Sequence, residues 1–261
     1  MRRERLRSLV VALVGLFALQ TVGQTPVKPS ERGSAAPLSG EEVVQRMVRR
    51  NLERAKALRA FHGTRVYRIE YQGVLGNRAA EMVADVAYQA PSSKEFKVIS
   101  QSGSKLIGEH VLRKLLESEQ EAMKAENRAR NALNTDNYTF RLIAYEPEGP
   151  APDYVLDVEP TTPSKYLYRG KIWVDAQDFA VSRMEVEPAK SPSFWTKKST
   201  ISHTYAKVEG FWLPKQNRSV SSIRFGGQAV LTIDYSNYKI LDPVAGRSGS
   251  AVSQQVGTTS R

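Results

Sequence analysis

Residues 211–240 read FWLPKQNRSVSSIRFGGQAVLTIDYSNYKI, and this stretch decides the fold. Two candidate strands, 211–224 and 228–240, flank Gly226-Gly227, a pair that tolerates the positive φ angles of a tight hairpin. Leu231 and Ile233 share one face of the second strand. Working outward, 138–145, 153–159, 165–175, 179–187 and 196–209 are further strand candidates, with turn chemistry at Asp175-Ala-Gln-Asp178 and Glu209-Gly210. Nearer the start, Tyr67, Ile69 and Tyr71 alternate with Arg68, Glu70 and Gln72. Met82, Ala84, Val86 and Tyr88 form a second alternating set, and Phe96 and Val98 mark a third short strand. Such alternation gives a strand one buried and one wet face, and short connections force antiparallel neighbours. The predicted class is α+β, mainly antiparallel β: a curved meander of about ten strands, too wide to stay flat.

Two helices are available to cover its concave side. Ser39-Gly-Glu-Glu42 has capping-box spacing, and Val44, Met47, Val48, Leu52, Ala55 and Leu58 then recur at three- and four-residue steps. Residues 105–133 place Leu106, Val111, Leu112, Leu115, Leu116, Met123, Ala129 and Leu133 at helical spacing with no Pro inside, which predicts one long amphipathic helix. Its apolar side thins after Leu116.

The flanks read as something other than folded domain. Residues 1–23 combine Arg2, Arg3, Arg5 and Arg7 with the apolar run Leu9–Leu19, the order of a secretory signal peptide and too short a run to span a membrane. Residues 24–38 read as a flexible linker and 242–261 as a disordered tail, leaving 39–241 as one domain with a helical insertion at 105–133. The formal charge is +11; losing the leader removes four Arg and one Glu and leaves +8. Export and the interleaving of the remaining bases with acids argue against a nucleic-acid partner and for peripheral contact with an anionic lipid surface.

Chemistry is sparse. The chain has no Cys, hence no disulfide, thiolate ligand, Cys nucleophile or lipid-carrying Cys. GxSxG, HExxH, GxxxxGK[ST] and GxGxxG are all absent, and His62, His110 and His203 stand far apart. His203 is in phase with Ile201 and Tyr205 and reads as a structural histidine. Glu109-His110 reads as a solvated helix start, and Asp175 and Asp178 as turn residues satisfying backbone N–H groups. The expectation is a protein that is not an enzyme and holds neither metal nor cofactor. The aromatic residues, Trp173, Trp195 and Trp212 among them, gather in the strand region. A sheet this wide with only helices for cover leaves apolar space suited to acyl chains. The cavity candidates are Tyr67, Ile69, Tyr71, Val86 and Trp173, and further along Met184, Val186, Ile201, Tyr205, Leu231 and Ile233. The lid candidates are Val44, Met47 and Val48 on the first helix and Leu112, Leu115 and Leu116 on the second.

Residues 165–195, KYLYRGKIWVDAQDFAVSRMEVEPAKSPSFW, with GFWLP at 210–214 and LTIDYSNY at 231–238, resemble the outer-membrane lipoprotein-sorting proteins, and so does the order of elements over most of the folded region. The most specific part is PAKSPSFW, carrying Pro188, Ser191, Pro192, Phe194 and Trp195. The resemblance implies an unclosed barrel with a helical lid. It also implies a monomeric, soluble periplasmic carrier and chaperone for the acyl chains of lipoproteins or phospholipid. Such a carrier would receive cargo from a membrane transporter or pass it to an outer-membrane acceptor. In such carriers an arginine early in the sheet helps hold the lid closed; Arg65 and Arg68 are the nearest here, and the role is carried to neither. The long middle helix and the tail depart from a compact carrier and leave cargo and partner open. An envelope-stress or lipoprotein-sensing regulatory or scaffold module of the same fold is the alternative.

Overall fold

The computed structural model describes residues 38–241 except 75, 149–150, 165, 192–195 and 225. The expected leader, the tail and all but the last residue of the linker lie outside the described residues.

Ten strands form one sheet: β1 (Ala60–Gln72), β2 (Arg78–Gln89), β3 (Ser93–Gly103), β4 (Tyr138–Glu146), β5 (Asp153–Pro160), β6 (Tyr168–Asp175), β7 (Val181–Pro188), β8 (Thr196–Val208), β9 (Phe211–Ile223) and β10 (Gln228–Leu241). Their order is β3-β2-β1-β10-β9-β8-β7-β6-β5-β4, and neighbours are antiparallel throughout. Successive strands pair with one another except β3 and β4, which the helical insertion separates, and β10 returns to pair with β1. Strands β3 and β4 are the two free edges of an unclosed barrel. The hairpin at Gly226 and Gly227 takes φ of 100° and 106°, the backbone for which glycine is needed. Register shifts at His62/Thr64, Val83/Ala84, Leu142/Ala144 and Trp173/Val174, and two more between β8 and β9, bend the strands.

Helix α1 (Gly40–Ala57) starts at a complete capping box, Ser39 Oγ accepting from the Glu42 N–H and the Glu42 carboxylate accepting from the Ser39 N–H. Its buried face differs from the expected stripe. Val43, Val44, Met47, Asn51 and Arg54 are buried and Leu58 caps the end, while Leu52 is 61% exposed and Ala55 is exposed. The helix is rotated because Arg54 reaches the Asp178 carbonyl on the β6–β7 turn and donates to Asn51 Oδ1 (3.2 Å), drawing the polar pair inward.

The segment expected as one helix over 105–133 is broken. It comprises α2 (Lys105–Ile107), a π-helical turn (Gly108–Leu112), α3 (Arg113–Ala122) and α4 (Ala125–Asn131). The break falls where Met123 turns inward, 2% exposed, and Lys124 goes extended at ψ 141°. Asn127 Nδ2 then donates to the Glu121 carbonyl (2.9 Å), which also accepts from the Lys124 N–H (3.2 Å). Among the described residues no helix is long and apolar enough to cross a membrane.

Trp173 is also corrected. Ile172 and Val174 enter the inner core, so alternation turns Trp173 to the convex side, where Arg183 stacks on it (3.7 Å) and Nε1 donates to Glu146 (3.1 Å).

Candidate functional site

The concave face carries apolar clusters, each under its own helix. Over β1, β2 and β10 the inward residues Tyr67, Ile69, Met82, Leu231 and Ile233 pack beneath Leu112, Leu115 and Leu116 of the insertion. Over β5 to β8, Leu156, Ile172, Met184, Val186 and Ile201 pack beneath Val43, Val44 and Met47 of α1. A smaller cluster of Leu58, Phe61, Tyr88, Met123 and Leu213 sits where α1 ends. A stripe of helix on a strip of sheet is the least cover that dries each half. The amphipathic period of the helices and the period-two alternation of the strands together produce it.

Between the two larger clusters, β8 and β9 present polar side chains inward. The register sets Ser199 beside Ser221, Ile201 beside Ser219 and His203 beside Asn217. All but Ile201 are polar, and each is at most 4% exposed. Ser199 and Ser221 share a hydrogen bond (2.6 Å), and Asn217 Nδ2 donates to His203 Nδ1 (3.0 Å), which leaves the imidazole proton on Nε2. Burial, reinforced by the nearby positive charge of Arg65, pushes the His203 pKa down to about 3, so the ring is neutral at ordinary pH. The Ser219 hydroxyl has no hydrogen-bond partner. Apolar rows with a polar seam can hold an amphiphile, whose chain and polar atoms need different surroundings.

A buried ionic cluster ties the insertion to the sheet. Glu119 of α3 is fully buried; its Oε2 accepts from Arg65 of β1 and from Lys94 Nζ of β3 (3.0 Å), and its Oε1 accepts from Tyr67 OH (3.2 Å). The Arg65 guanidinium lies over the Tyr235 ring (4.8 Å). Burial raises the Glu119 pKa, but the charges of Arg65 and Lys94 outweigh it and hold the carboxyl below its usual range. Burial and the Arg65 charge push Lys94 down to about 8. Burial also opposes the Arg65 charge, and Glu119 more than compensates, so Arg65 stays charged. Two buried cations share one buried carboxylate, and pulling any of the three side chains away is costly.

Of the cavity candidates, Tyr67, Ile69, Leu231 and Ile233 lie in the first cluster, and Met184, Val186 and Ile201 in the second with Tyr205 packed on its border. Tyr71 is half-buried at the β1 end with its hydroxyl on the Gly226 carbonyl (3.3 Å), and Val86 is buried outside the clusters. The lid candidates Val44 and Met47 cover the second cluster with Val48 beside them, and Leu112, Leu115 and Leu116 cover the first. Pro188 ends β7 and Ser191 Oγ donates to the Thr196 carbonyl (2.7 Å); Pro192, Phe194 and Trp195 lie outside the described residues. Arg65 faces the insertion, whereas Arg68 is on the wet face with Glu81 (2.8 Å) and Asp234 (2.5 Å). Asp175 Oδ1 accepts from the Gln177 and Asp178 N–H groups, the turn role expected of it. Among the described residues no group of three or more His, Asp or Glu is placed to hold a metal ion.

Sequence reasoning missed Glu119, Lys94 and the polar seam. Glu119 carried a signal: Leu112, Leu115, Leu116, Glu119 and Met123 fall in one helical phase, so the carboxylate stands inside the apolar stripe. Lys94 and Ser219 carried none, because an alternating strand does not say which polar residue faces in.

No family model matches this chain, and no curated protein matches it. Three of the solved structures similar in fold are the following. A DUF1329 family protein from Desulfovibrio piger is 14% identical over 81% of this chain and 95% of that one, with a TM-score of 0.39. A LolA superfamily protein from Nitrosomonas europaea is 15% identical over 79% and 95%, with a TM-score of 0.34. An outer membrane lipoprotein-sorting protein domain from Vibrio parahaemolyticus is 12% identical over 81% and 94%, with a TM-score of 0.37. The likeness is one of fold alone.

Proposed function

We propose that this chain is a periplasmic carrier that binds the acyl chains of lipoproteins or lipids between its sheet and its helical lids, for transfer toward the outer membrane. The observation that carries this reading is the division of the concave face. One apolar cluster is covered by α1 and the other by the broken helical insertion, whose α3 is fastened by one buried carboxylate between two cations. Each CH₂ of cargo that leaves water for this face contributes about 0.8 kcal/mol, offset by the lid side chains it exposes. No covalent step is required. Release follows when an acceptor binds the chains more favourably than the sheet does. To test this, the protein is purified without detergent, extracted for bound lipid by mass spectrometry, and titrated with a fluorescent long-chain fatty acid. Co-purified acyl lipid and saturable binding are expected; repeated absence of both overturns the reading.

A second reading, a sensor or scaffold module, is favoured by one feature: the free edge strand β3 exposes Val98 (43%) and Ile99 (52%). An open edge accepts an added strand from a protein partner. Replacing both residues with Lys would abolish capture of such a partner while leaving lipid binding intact, which separates the two readings.

A further inference from the structure

Where α1 passes α4, the helices leave a groove of about 310 Å³. Val48, Leu52 and Ala55 form one wall and Ala125 and Ala129 the other, with Tyr88 and Met123 of the small third cluster also lining it. Leu52, the large apolar residue expected in the core and found 61% exposed, belongs to this lining. The volume is at the lower end of the roughly 300–1,000 Å³ of ligand pockets, so it suits part of one chain rather than two.

Two hydrogen-bond donors here lack partners. Asn51 is 93% buried, and while its Oδ1 accepts from Arg54, its Nδ2 has none. Arg128 Nη1 is anchored on the Pro91 carbonyl (2.5 Å), but Nε is buried without a partner. Both residues line the groove, one from each helix, and no Asp or Glu is among its lining residues. The positive charge of Arg128 also acts on the Tyr88 hydroxyl, opposing the rise that burial causes in its pKa.

We infer that this groove is a binding site for a single-chain fatty acid, its tail on the apolar walls and its carboxylate between Asn51 Nδ2 and Arg128 Nε. Two spare N–H donors, one of them cationic, match the two oxygens of a carboxylate, whereas a phosphate would leave a third oxygen unmatched. The site is separate from the inner face on which the carrier reading rests, so either can stand without the other.

The test is calorimetric titration of the full chain with dodecanoate, and with dodecanol and dodecyltrimethylammonium in parallel. Dodecanoate is expected to bind at this site. Arg128→Gln and Asn51→Leu should each weaken it about tenfold or more, the scale of a hydrogen bond to a charged group, while leaving dodecanol unchanged. Ala129→Phe, on an exposed helix position, fills the groove without removing a bond and should abolish the Arg128-dependent binding; circular dichroism confirms that each variant is folded. Dodecanoate that fails to bind, that binds Arg128→Gln and Ala129→Phe as it binds the unaltered chain, or that binds no better than dodecyltrimethylammonium overturns the proposal. If the protein carries no extractable lipid and Arg128→Gln with Ala129→Phe removes all of its fatty-acid binding, the carrier reading fails and the groove stands. If extractable two-chain lipid persists in a chain whose dodecanoate binding ignores Arg128, the reverse holds.

Discussion

Glu119 decides more than any other described side chain, because its one carboxylate binds both Arg65 and Lys94 in a buried site. Glu119→Gln keeps the shape and removes the charge that both buried cations contact, so urea unfolding should show a loss of about 3–5 kcal/mol. Lys94→Met keeps the stem, removes the surplus charge and should cost under about 1 kcal/mol; a larger loss than for Glu119→Gln would contradict the cluster as described. His203 gives a prediction in pH. Its folded pKa of about 3 lies below the ordinary 6.5, so the unfolded chain takes up the proton first. The stability it contributes is complete above pH 6.5 and falls as pH drops toward 3, by up to about 1.4 kcal/mol per pH unit. Charged Arg65 and Glu119, with the Tyr205 and Tyr235 rings, are the groups that face or act on it. His203→Gln should flatten the pH 5–6.5 limb of a denaturation series; an unchanged slope would assign that limb to other groups. Ser219→Ala deletes a buried hydroxyl without a hydrogen bond, and its denaturation midpoint should be equal or higher, with a gain of up to about 2 kcal/mol.

Elements were more legible than faces. Strand positions could be read from alternation because a half-buried strand must repeat every two residues, and the Gly226-Gly227 hairpin because few other residues adopt its φ angles. The helical insertion was legible as apolar and helical but not as broken. Met123 turns toward Leu58 and Phe61, contacts more than sixty residues away in the chain, and no local period encodes such a pull. Trp173 shows the same limit from the other side: an aromatic in a strand announces burial, while its neighbours Ile172 and Val174 decide which face receives it. The ionic cluster joins β1, β3 and α3 across separations of 25 and 54 residues, beyond the reach of any spacing rule. The exit from β3 into the insertion rests on Gly103, at φ 82° and with room for no side chain, since an added Cβ would stand 2.4 Å from the Ala79 carbonyl oxygen. Gly103→Ala should cost about 1–3 kcal/mol and speed amide exchange over 105–116. Gly76 shares the same φ with nothing nearby, so Gly76→Ala should cost no more than about 1 kcal/mol and leave the insertion's exchange untouched.

At the scale of the whole molecule, the proposed carrier state predicts a protein stabilised by its cargo. Ligand at a hundred times its dissociation constant adds about 2.7 kcal/mol, so reloading a delipidated sample should raise the melting temperature by about 5–10 °C. An unchanged melting curve with lipid bound would mean that the lipid does not discriminate folded from unfolded chain. The place of β10 has another consequence, for the order of assembly. Once the chain has been made as far as Gly227, β1–β3 and β4–β9 are two separate ribbons, each with the edge meant for β10 still bare. The last described strand is the only seam between them, pairing along twelve positions with β1 and seven with β9. The sheet therefore cannot close before β10 has been made, and until then each ribbon keeps one bare edge along which a foreign strand could add.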